Sequence, residues 1–150
     1  MKRTLPKGFT LVELLIVITV IAILAALVLR TAGFVQEKGA RSRAESEIAA
    51  ISAALESYKA DNGDYPIGTA STNSSSTDRL LYTNLMPATG KVYFEFTKGM
   101  TNSSGAVVDP FGNGYGYQYP GQASRSGTNF FDLWSTANKG ALSNAWIKNW

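Results

Sequence analysis

The sequence lacks both cysteine and histidine. Without cysteine, disulfides cannot stabilise the chain and thiol chemistry is excluded. Without histidine, the chain lacks the side chain that most often transfers protons near neutral pH. No phosphate-binding loop occurs, and the glycine-rich stretch at residues 112–116 lies between predicted strands, whereas a dinucleotide site requires it before a helix. These absences argue against an enzyme.

A basic surface is also missing once the first seven residues are set aside. The formal net charge of the 150-residue chain is +3, from 14 basic and 11 acidic residues. Lys2, Arg3 and Lys7 account for this excess, because without them 11 basic residues face 11 acidic ones. We therefore predict no nucleic-acid partner.

What the sequence does have is a long apolar run. Residues 9–29 contain only three polar side chains, Thr10, Glu13 and Thr19. As a helix this run would be roughly 31 Å long, close to the hydrocarbon thickness of a bilayer. The three basic residues before the run outnumber Arg30 after it. The positive-inside rule therefore predicts a cytoplasmic start, with the rest of the chain in the periplasm or outside the cell.

Glu13 needs an explanation, because an ionised carboxylate inside a spanning helix costs on the order of 2.5–3.5 kcal/mol. It could lie near the cytoplasmic interface and reach water. Alternatively, cleavage between Gly8 and Phe9 would free an α-amino group that is largely protonated near neutral pH. Phe9 and Glu13 are four residues apart and would share one face of a helix. We favour this second explanation, in which a neighbouring subunit, shifted along the axis, presents its amine to Glu13.

The start of the apolar run carries a recognisable motif. Residues 7–14 read K-G-F-T-L-V-E-L, which resembles the class III signal of type IV pilins and type II secretion pseudopilins. The resemblance implies cleavage after Gly8 by a prepilin peptidase, N-methylation of Phe9, and a role for Glu13 in setting the register of subunits in a helical filament. An ordinary secretory signal fits less well, because the run is long, no clear A-x-A site follows it, and the helical pattern continues beyond it.

Helical periodicity extends well past the apolar run. Apolar residues recur at spacings of three and four, with mostly charged residues between them. The positions expected to pack on a head domain are Ile48, Ile51, Leu55 and Tyr58. A continuous helix over residues 9–60 would be roughly 78 Å long, too long to bury within a small domain. Its first half must therefore lie in lipid or against other subunits, and the sequence D-N-G-D-Y-P at residues 61–66 ends it.

Beyond this helix the pattern predicts a small head. Residues 68–77 are rich in Ser, Thr, Gly and Asn, which predicts a loop. A short apolar cluster then indicates a short helix or turn, at Leu80, Leu81, Leu85 and Met86. The period next changes to two, which predicts short strands at residues 92–96, 106–108, 115–119 and 130–134.

Together these elements predict an α+β fold, in which the second half of a long N-terminal helix packs on a small antiparallel sheet. The expected parts are a leader at residues 1–8, a transmembrane or filament-core helix at 9–30, an amphipathic helix at 31–60 and a globular periplasmic head at 61–150.

Four segments of the C-terminal half are similar to those of the type II secretion major pseudopilins. They are D-P-F-G-N-G-Y at residues 109–115, Y-P-G at 119–121, F-D-L-W-S at 131–135 and I-K-N-W at 147–150. The resemblance implies a structural subunit, inserted in the inner membrane and assembled with copies of itself into a periplasmic filament. Its implied partners are prepilin peptidase, minor pseudopilins and the inner-membrane assembly platform. Phe111, between two tight turns, is expected to plug the head core.

Two other functions stay open. A type IV pilin would form a surface fibre for adhesion, motility or DNA uptake. The 109–115 segment, the closing Asn149-Trp150 and the lack of a disulfide loop count against it. A membrane-tethered binding module would instead use Tyr115, Tyr117 and Tyr119 as an exposed ligand face, and burial of those rings would exclude it.

One departure from the family concerns calcium. In the major pseudopilins the loop after the Y-D-L-x-S strand holds this ion with backbone oxygens, an aspartate in a P-D-G turn and two adjacent acids. Here Lys139 takes the place of the aspartate, Ala145 and Trp146 take that of the paired acids, and residues 135–150 contain no Asp or Glu. Since calcium prefers several oxygen ligands that include carboxylates, we predict no metal and no cofactor. We hypothesise that the Lys139 ammonium donates to the loop carbonyls instead, with Trp146 packed over the turn.

Overall fold

The computed structural model describes residues 8–68 and 75–150, apart from the side chains of residues 29–32 and 75–78. The chain divides into two compact units, Met1–Lys38 and Gly39–Trp150. One long helix, α1 (Leu11–Asn62), begins in the first unit and ends in the second. Of the predicted leader, only Gly8 lies within the described residues.

In the first unit, α1 exposes apolar side chains all round. Between Leu11 and Val28 the exposed fraction of the large aliphatic side chains ranges from 48% at Val17 to 81% at Leu11. The Thr19 hydroxyl donates a hydrogen bond to the Leu15 carbonyl at 2.7 Å, so this polar group is satisfied within the helix. In the described part of the chain, α1 is the one helix that is long and apolar enough to cross a membrane.

The second unit has its own core, built on one face of α1. Residues on this face recur at spacings of three and four and are at most 4% exposed: Ala44, Ile48, Ile51 and Leu55. The predicted short helix is confirmed as α2 (Ser75–Leu85), which contributes Leu81 and Leu85 to the same core. This helix begins inside the stretch predicted as a loop, of which residues 69–74 lie outside the described residues.

Three antiparallel strands complete the core: β1 (Gly116–Gln118), β2 (Asp132–Ser135) and β3 (Ile147–Lys148), in the order β1-β2-β3. Asn149 extends the pairing of β2 and β3, because its side-chain oxygen accepts a hydrogen bond from the Leu133 amide at 2.8 Å. The helices and the sheet share one hydrophobic cluster. The predicted α+β fold is thereby confirmed.

Two predicted strands are wrong. Residues 92–96 form no strand, because the Tyr93 and Phe94 amides donate to the Leu85 carbonyl at the end of α2, at 2.8 and 3.1 Å. The backbone amides of these two residues thus satisfy the carbonyl at the C-terminal end of α2 and do not pair with a strand. Residues 106–108 form only isolated bridges, since each of the two pairings that they make is a single residue long.

The three alternating tyrosines do not form an exposed ligand face. Tyr115 and Tyr117 are fully buried. Their hydroxyls donate to the Glu47 carboxylate at 2.6 Å and to the Pro66 carbonyl at 2.8 Å. Tyr119 is half-buried. Side chains two residues apart share a face of a strand, and here that face is the inner one. The interpretation of this chain as a binding module that uses these rings is therefore wrong.

Candidate functional site

The start of α1 is stabilised by Thr10 and Glu13. The Thr10 hydroxyl accepts a hydrogen bond from the Glu13 amide at 3.2 Å. In return, the Glu13 carboxylate accepts from the Thr10 amide at 2.9 Å and from the Thr10 hydroxyl at 2.7 Å. This reciprocal pair is a capping box, which satisfies amides that the first turn of a helix leaves without partners. Glu13 thus has a structural role inside its own chain.

That role was missed from the sequence, although its signal was present. The pattern T-x-x-E directly before an apolar run is typical of a capping box. The structure also starts α1 at Leu11, so Phe9 lies before the helix. The argument that placed Phe9 and Glu13 on one helical face is therefore wrong for this conformation.

The capping contacts do not neutralise Glu13. Thr10 is uncharged, and within residues 8–68 and 75–150 the ion pairs found do not involve Glu13. The partial positive charge at the start of a helix stabilises a carboxylate by about 0.3–1 kcal/mol. That is less than the roughly 2.5–3.5 kcal/mol that the charge costs within a membrane. A cation from outside these residues would therefore stabilise Glu13 further.

The bond between Gly8 and Phe9 lies in open backbone directly before α1. Residues 8–10 are exposed and have no regular secondary structure. The Phe9 side chain is 77% exposed. Exposed, non-helical backbone is where proteases cut most readily, so this bond is accessible to a peptidase.

The residues predicted to pack on the head lie in or beside its core. Ile48, Ile51 and Leu55 are buried, whereas Tyr58 and Phe111 are half-buried and pack against the cluster from its edge. Phe111 therefore packs against the core from its edge and is not part of its buried centre. The largest fully buried aromatic residues are others: Tyr115, Tyr117, Phe131 and Trp134.

The positions at which the resemblance implies calcium ligands, Lys139, Ala145 and Trp146, lie between β2 and β3. All three are half-buried. Ala145 is the last residue of a short 3-10 helix (Ser143–Ala145), and Trp146 directly follows it. Across the described ranges, no group of three or more Asp, Glu, His or Cys residues could hold a metal ion. The bond from the Lys139 ammonium to the loop carbonyls stays a prediction.

A layer of aromatic rings over β2 was not anticipated from the sequence. Trp134 stacks on Trp146 with ring centres 5.9 Å apart and planes at 7°. The Arg125 guanidinium lies 5.2 Å from the Trp134 ring and 4.9 Å from the Trp150 ring. A Cβ at Gly116 would lie 2.1 Å from Trp134 Cε2, so the ring occupies the space that a side chain would need. A glycine between two tyrosines of a strand was the available signal.

Models of two known protein families together match most of the chain. The family model described as type II secretion system, protein G, matches residues 34–150. A second model, the prokaryotic N-terminal methylation motif, matches residues 4–29. The first match includes the whole second unit, and the second includes Gly8, Phe9 and Glu13.

Three similar curated proteins are each named type II secretion system core protein G. The protein from Pseudomonas aeruginosa is 32% identical over 100% of this chain and 99% of its own length. That from Escherichia coli is 32% identical over 77% of this chain and 74% of its own. That from Klebsiella michiganensis is 29% identical over 93% of this chain and 89% of its own. The similarity thus spans both units.

Proposed function

Since this chain belongs to the type II secretion system protein G family, we propose that it is cleaved after Gly8, methylated at Phe9 and then assembled through Glu13. The family is that of the major pseudopilins, so the chain is a structural subunit of a type II secretion pseudopilus. Membership of this family favours that function over the type IV pilin alternative.

The exposure of the first unit is the observation that carries the proposal. An apolar helix exposed on all sides is stable only in lipid or against other apolar surfaces. The chain is first held in the inner membrane, with its basic start on the cytoplasmic side and residues 39–150 in the periplasm. In the filament, the apolar side chains of neighbouring copies replace the lipid.

Glu13 is the residue that selects the position of the neighbour. Both capping contacts use its oxygen Oε2, and a carboxylate has room for about four hydrogen bonds on its two oxygens. Oε1 is therefore the acceptor offered to a donor from a second copy. After cleavage, the Phe9 amine of that copy carries a positive charge near neutral pH. Pairing in an apolar setting stabilises the contact and fixes its register, because either charge left alone there is costly.

The proposed cleavage, methylation and assembly each imply a partner. A prepilin peptidase processes the Gly8-Phe9 bond and methylates the new amine, consistent with the match to the N-terminal methylation motif. Copies of the same chain form the body of the filament. Minor pseudopilins and the inner-membrane assembly platform act with it during assembly.

Glu13→Gln separates the capping role of this residue from its charge. Glutamine keeps an oxygen that accepts the Thr10 hydrogen bonds but has no charge to pair with an amine. We expect Glu13→Gln and Glu13→Val to be cleaved normally and to lose about tenfold or more of the filament yield, the factor by which about 1.4 kcal/mol changes an association equilibrium. Sheared filaments, counted by electron microscopy and quantified by immunoblot, give the measurement.

The matched control is Glu45→Gln, which removes an exposed carboxylate from α1 within the second unit and should leave the yield unchanged. A normal yield from Glu13→Gln would show that capping alone explains this residue. Mass spectrometry of assembled subunits tests the processing step, with a methylated Phe9 expected as the first residue. A first residue of Met1 in assembled filaments would contradict that step.

A further inference from the structure

The loop between β2 and β3, residues 136–146, is where the family resemblance implies a calcium ion. Calcium takes roughly six to eight oxygen ligands, which include carboxylates and backbone carbonyls. Whether this loop could bind the ion therefore depends on how many of its oxygens already accept hydrogen bonds from the protein.

Most of the carbonyls in this loop already accept hydrogen bonds from the protein. Two of the donors are side chains: Trp146 Nε1 lies 2.8 Å from the Gly140 oxygen, and Arg41 Nη1 lies 3.1 Å from the Ala145 oxygen. Backbone amides donate to five more carbonyls, at 2.8–3.4 Å: those of Thr136, Lys139, Ala141, Leu142 and Ser143. These bonds direct the carbonyls to separate protein donors and not to a common centre.

Trp146 connects the loop to the sheet. While its Nε1 donates to Gly140, its ring stacks on Trp134 at 5.9 Å. Trp134 is 1% exposed and belongs to β2, so it is a fixed support. Arg41, from α1, adds a positive charge at the far end of the loop, beside the Ala145 carbonyl. An indole and a guanidinium thus each donate a hydrogen bond to a carbonyl oxygen of this loop.

The turn after β2 is also held by protein groups. Ala137 and Asn138 have φ angles of 48° and 59°, in the left-handed region that is unfavourable for alanine. The Ala137 amide donates to the Ser135 hydroxyl at 3.0 Å, and the Asn138 side-chain oxygen accepts from Asn113 Nδ2 at 2.7 Å. This backbone therefore persists because hydrogen bonds at both residues hold it.

Within the described residues, the carboxylates of Asp109 and Asp132 already contact protein donors. Residues 135–150 contain no Asp or Glu. Asp109, which is 2% exposed, accepts hydrogen bonds from the amides of Phe111 and Asn113 and from the Ser135 hydroxyl. Asp132 pairs with Arg125 at 3.7 Å. The residues present therefore do not fit calcium.

We propose that Trp146 and Arg41 brace the 136–146 loop in place of a metal ion, so that the second unit is stable without calcium. This inference depends on contacts inside Gly39–Trp150 and not on filament assembly. It can therefore fail while the proposed function stands, and the reverse is also true.

The first test measures calcium dependence on the full chain, purified in detergent. Thermal unfolding is followed by near-ultraviolet circular dichroism, which reports on packed tryptophans, with EGTA or with calcium at about 1 mM. We expect the two midpoints to agree within about 1 °C. A calcium-dependent rise of more than about 3 °C, or calorimetric binding tighter than about 1 mM, would overturn the proposal.

The second test asks whether the two side chains brace the loop. Trp146→Phe keeps an aromatic ring but lacks the Nε1 donor, and Arg41→Gln removes the guanidinium. We expect tryptic cleavage after Lys139 to be about three- to tenfold faster in each variant than in the unchanged chain, because each loses one hydrogen bond that closes the loop. Calcium should not slow the cleavage.

The control is Leu142→Ala, in the same loop, because the Leu142 side chain is 62% exposed. Trypsin should cut this variant after Lys139 at the same rate as it cuts the unchanged chain. If Trp146→Phe and Arg41→Gln were also cut at that rate, or if calcium restored their protection, the bracing role would be refuted.

Discussion

The two parts of α1 carry similar apolar residues in opposite surroundings. In the first unit Leu15 is 55% exposed, whereas in the second unit Leu55 is 0% exposed. Leu55 is covered because α2 and the sheet belong to its own unit. Leu15 belongs to a unit whose described side chains between Leu11 and Val28 are all exposed. The second unit therefore completes its core within one chain, whereas the first requires lipid or further copies to cover its side chains.

Truncating the same residue type in both parts of α1 is the strongest test of this difference. Leu55→Ala should destabilise the second unit by about 2–5 kcal/mol, because it removes a fully buried side chain and leaves a cavity. Leu15→Ala should change its free energy of unfolding by less than about 0.5 kcal/mol. Denaturant unfolding in detergent, followed by near-ultraviolet circular dichroism, measures both. Equal effects would show that the two parts are not energetically distinct.

Two glycines of the second unit, one in exposed helix and one in packed sheet, should respond to substitution with opposite signs. Gly116→Ala should destabilise the second unit by about 1–3 kcal/mol, because the new methyl group would meet the Trp134 ring. Gly39→Ala should stabilise it by about 0.5–1 kcal/mol, since Gly39 lies in α1 with nothing near its Cβ position. The same unfolding experiment measures the two opposite signs. A neutral Gly116→Ala would mean that the ring does not lie over this residue.

Glu47 should make the stability of the second unit depend weakly on pH. Partial burial raises the pKa of the Glu47 carboxyl above its ordinary 4.5, although a hydrogen bond from Tyr115 and the charge of Arg43 act in the opposite direction. The folded state therefore binds this proton more tightly than the unfolded state. Stability linked to Glu47 is complete below pH 4.5 and declines as the pH rises through the folded-state pKa.

Glu47→Gln should remove that decline. At neutral pH we expect a melting midpoint about 1–2 °C higher than that of the unchanged chain, because glutamine still accepts the Tyr115 hydrogen bond without a buried charge. The difference between the two melting midpoints should disappear below pH 4.5, where the Glu47 carboxyl is protonated in the unchanged chain. Melting curves across this pH range, with the exposed Glu45→Gln as the control, provide the measurement. A lower midpoint at neutral pH would contradict the assigned cause of the shift.

Periodicity predicted the helices well and the strands only in part. Ile48, Ile51 and Leu55 could be placed on one face because helical spacing is a local property of the chain. The period-two pattern at residues 92–96 wrongly predicted a strand, since it does not reveal that two amides there donate to the Leu85 carbonyl. At the candidate site, the motif around Glu13 was recognised, whereas its capping bond with Thr10 was overlooked although its pattern is equally local.

The long helix, its apolar first part and the processing motif at residues 7–14 could be predicted from the sequence, because each depends on the order of residues along a continuous stretch. The position of Trp134 over Gly116 and the hydrogen bond from Trp146 to the Gly140 carbonyl are visible only in the folded chain. These contacts depend on how strands and loops meet in space. Hydrophobic spacing records which face of an element is buried, but not which distant residue covers it.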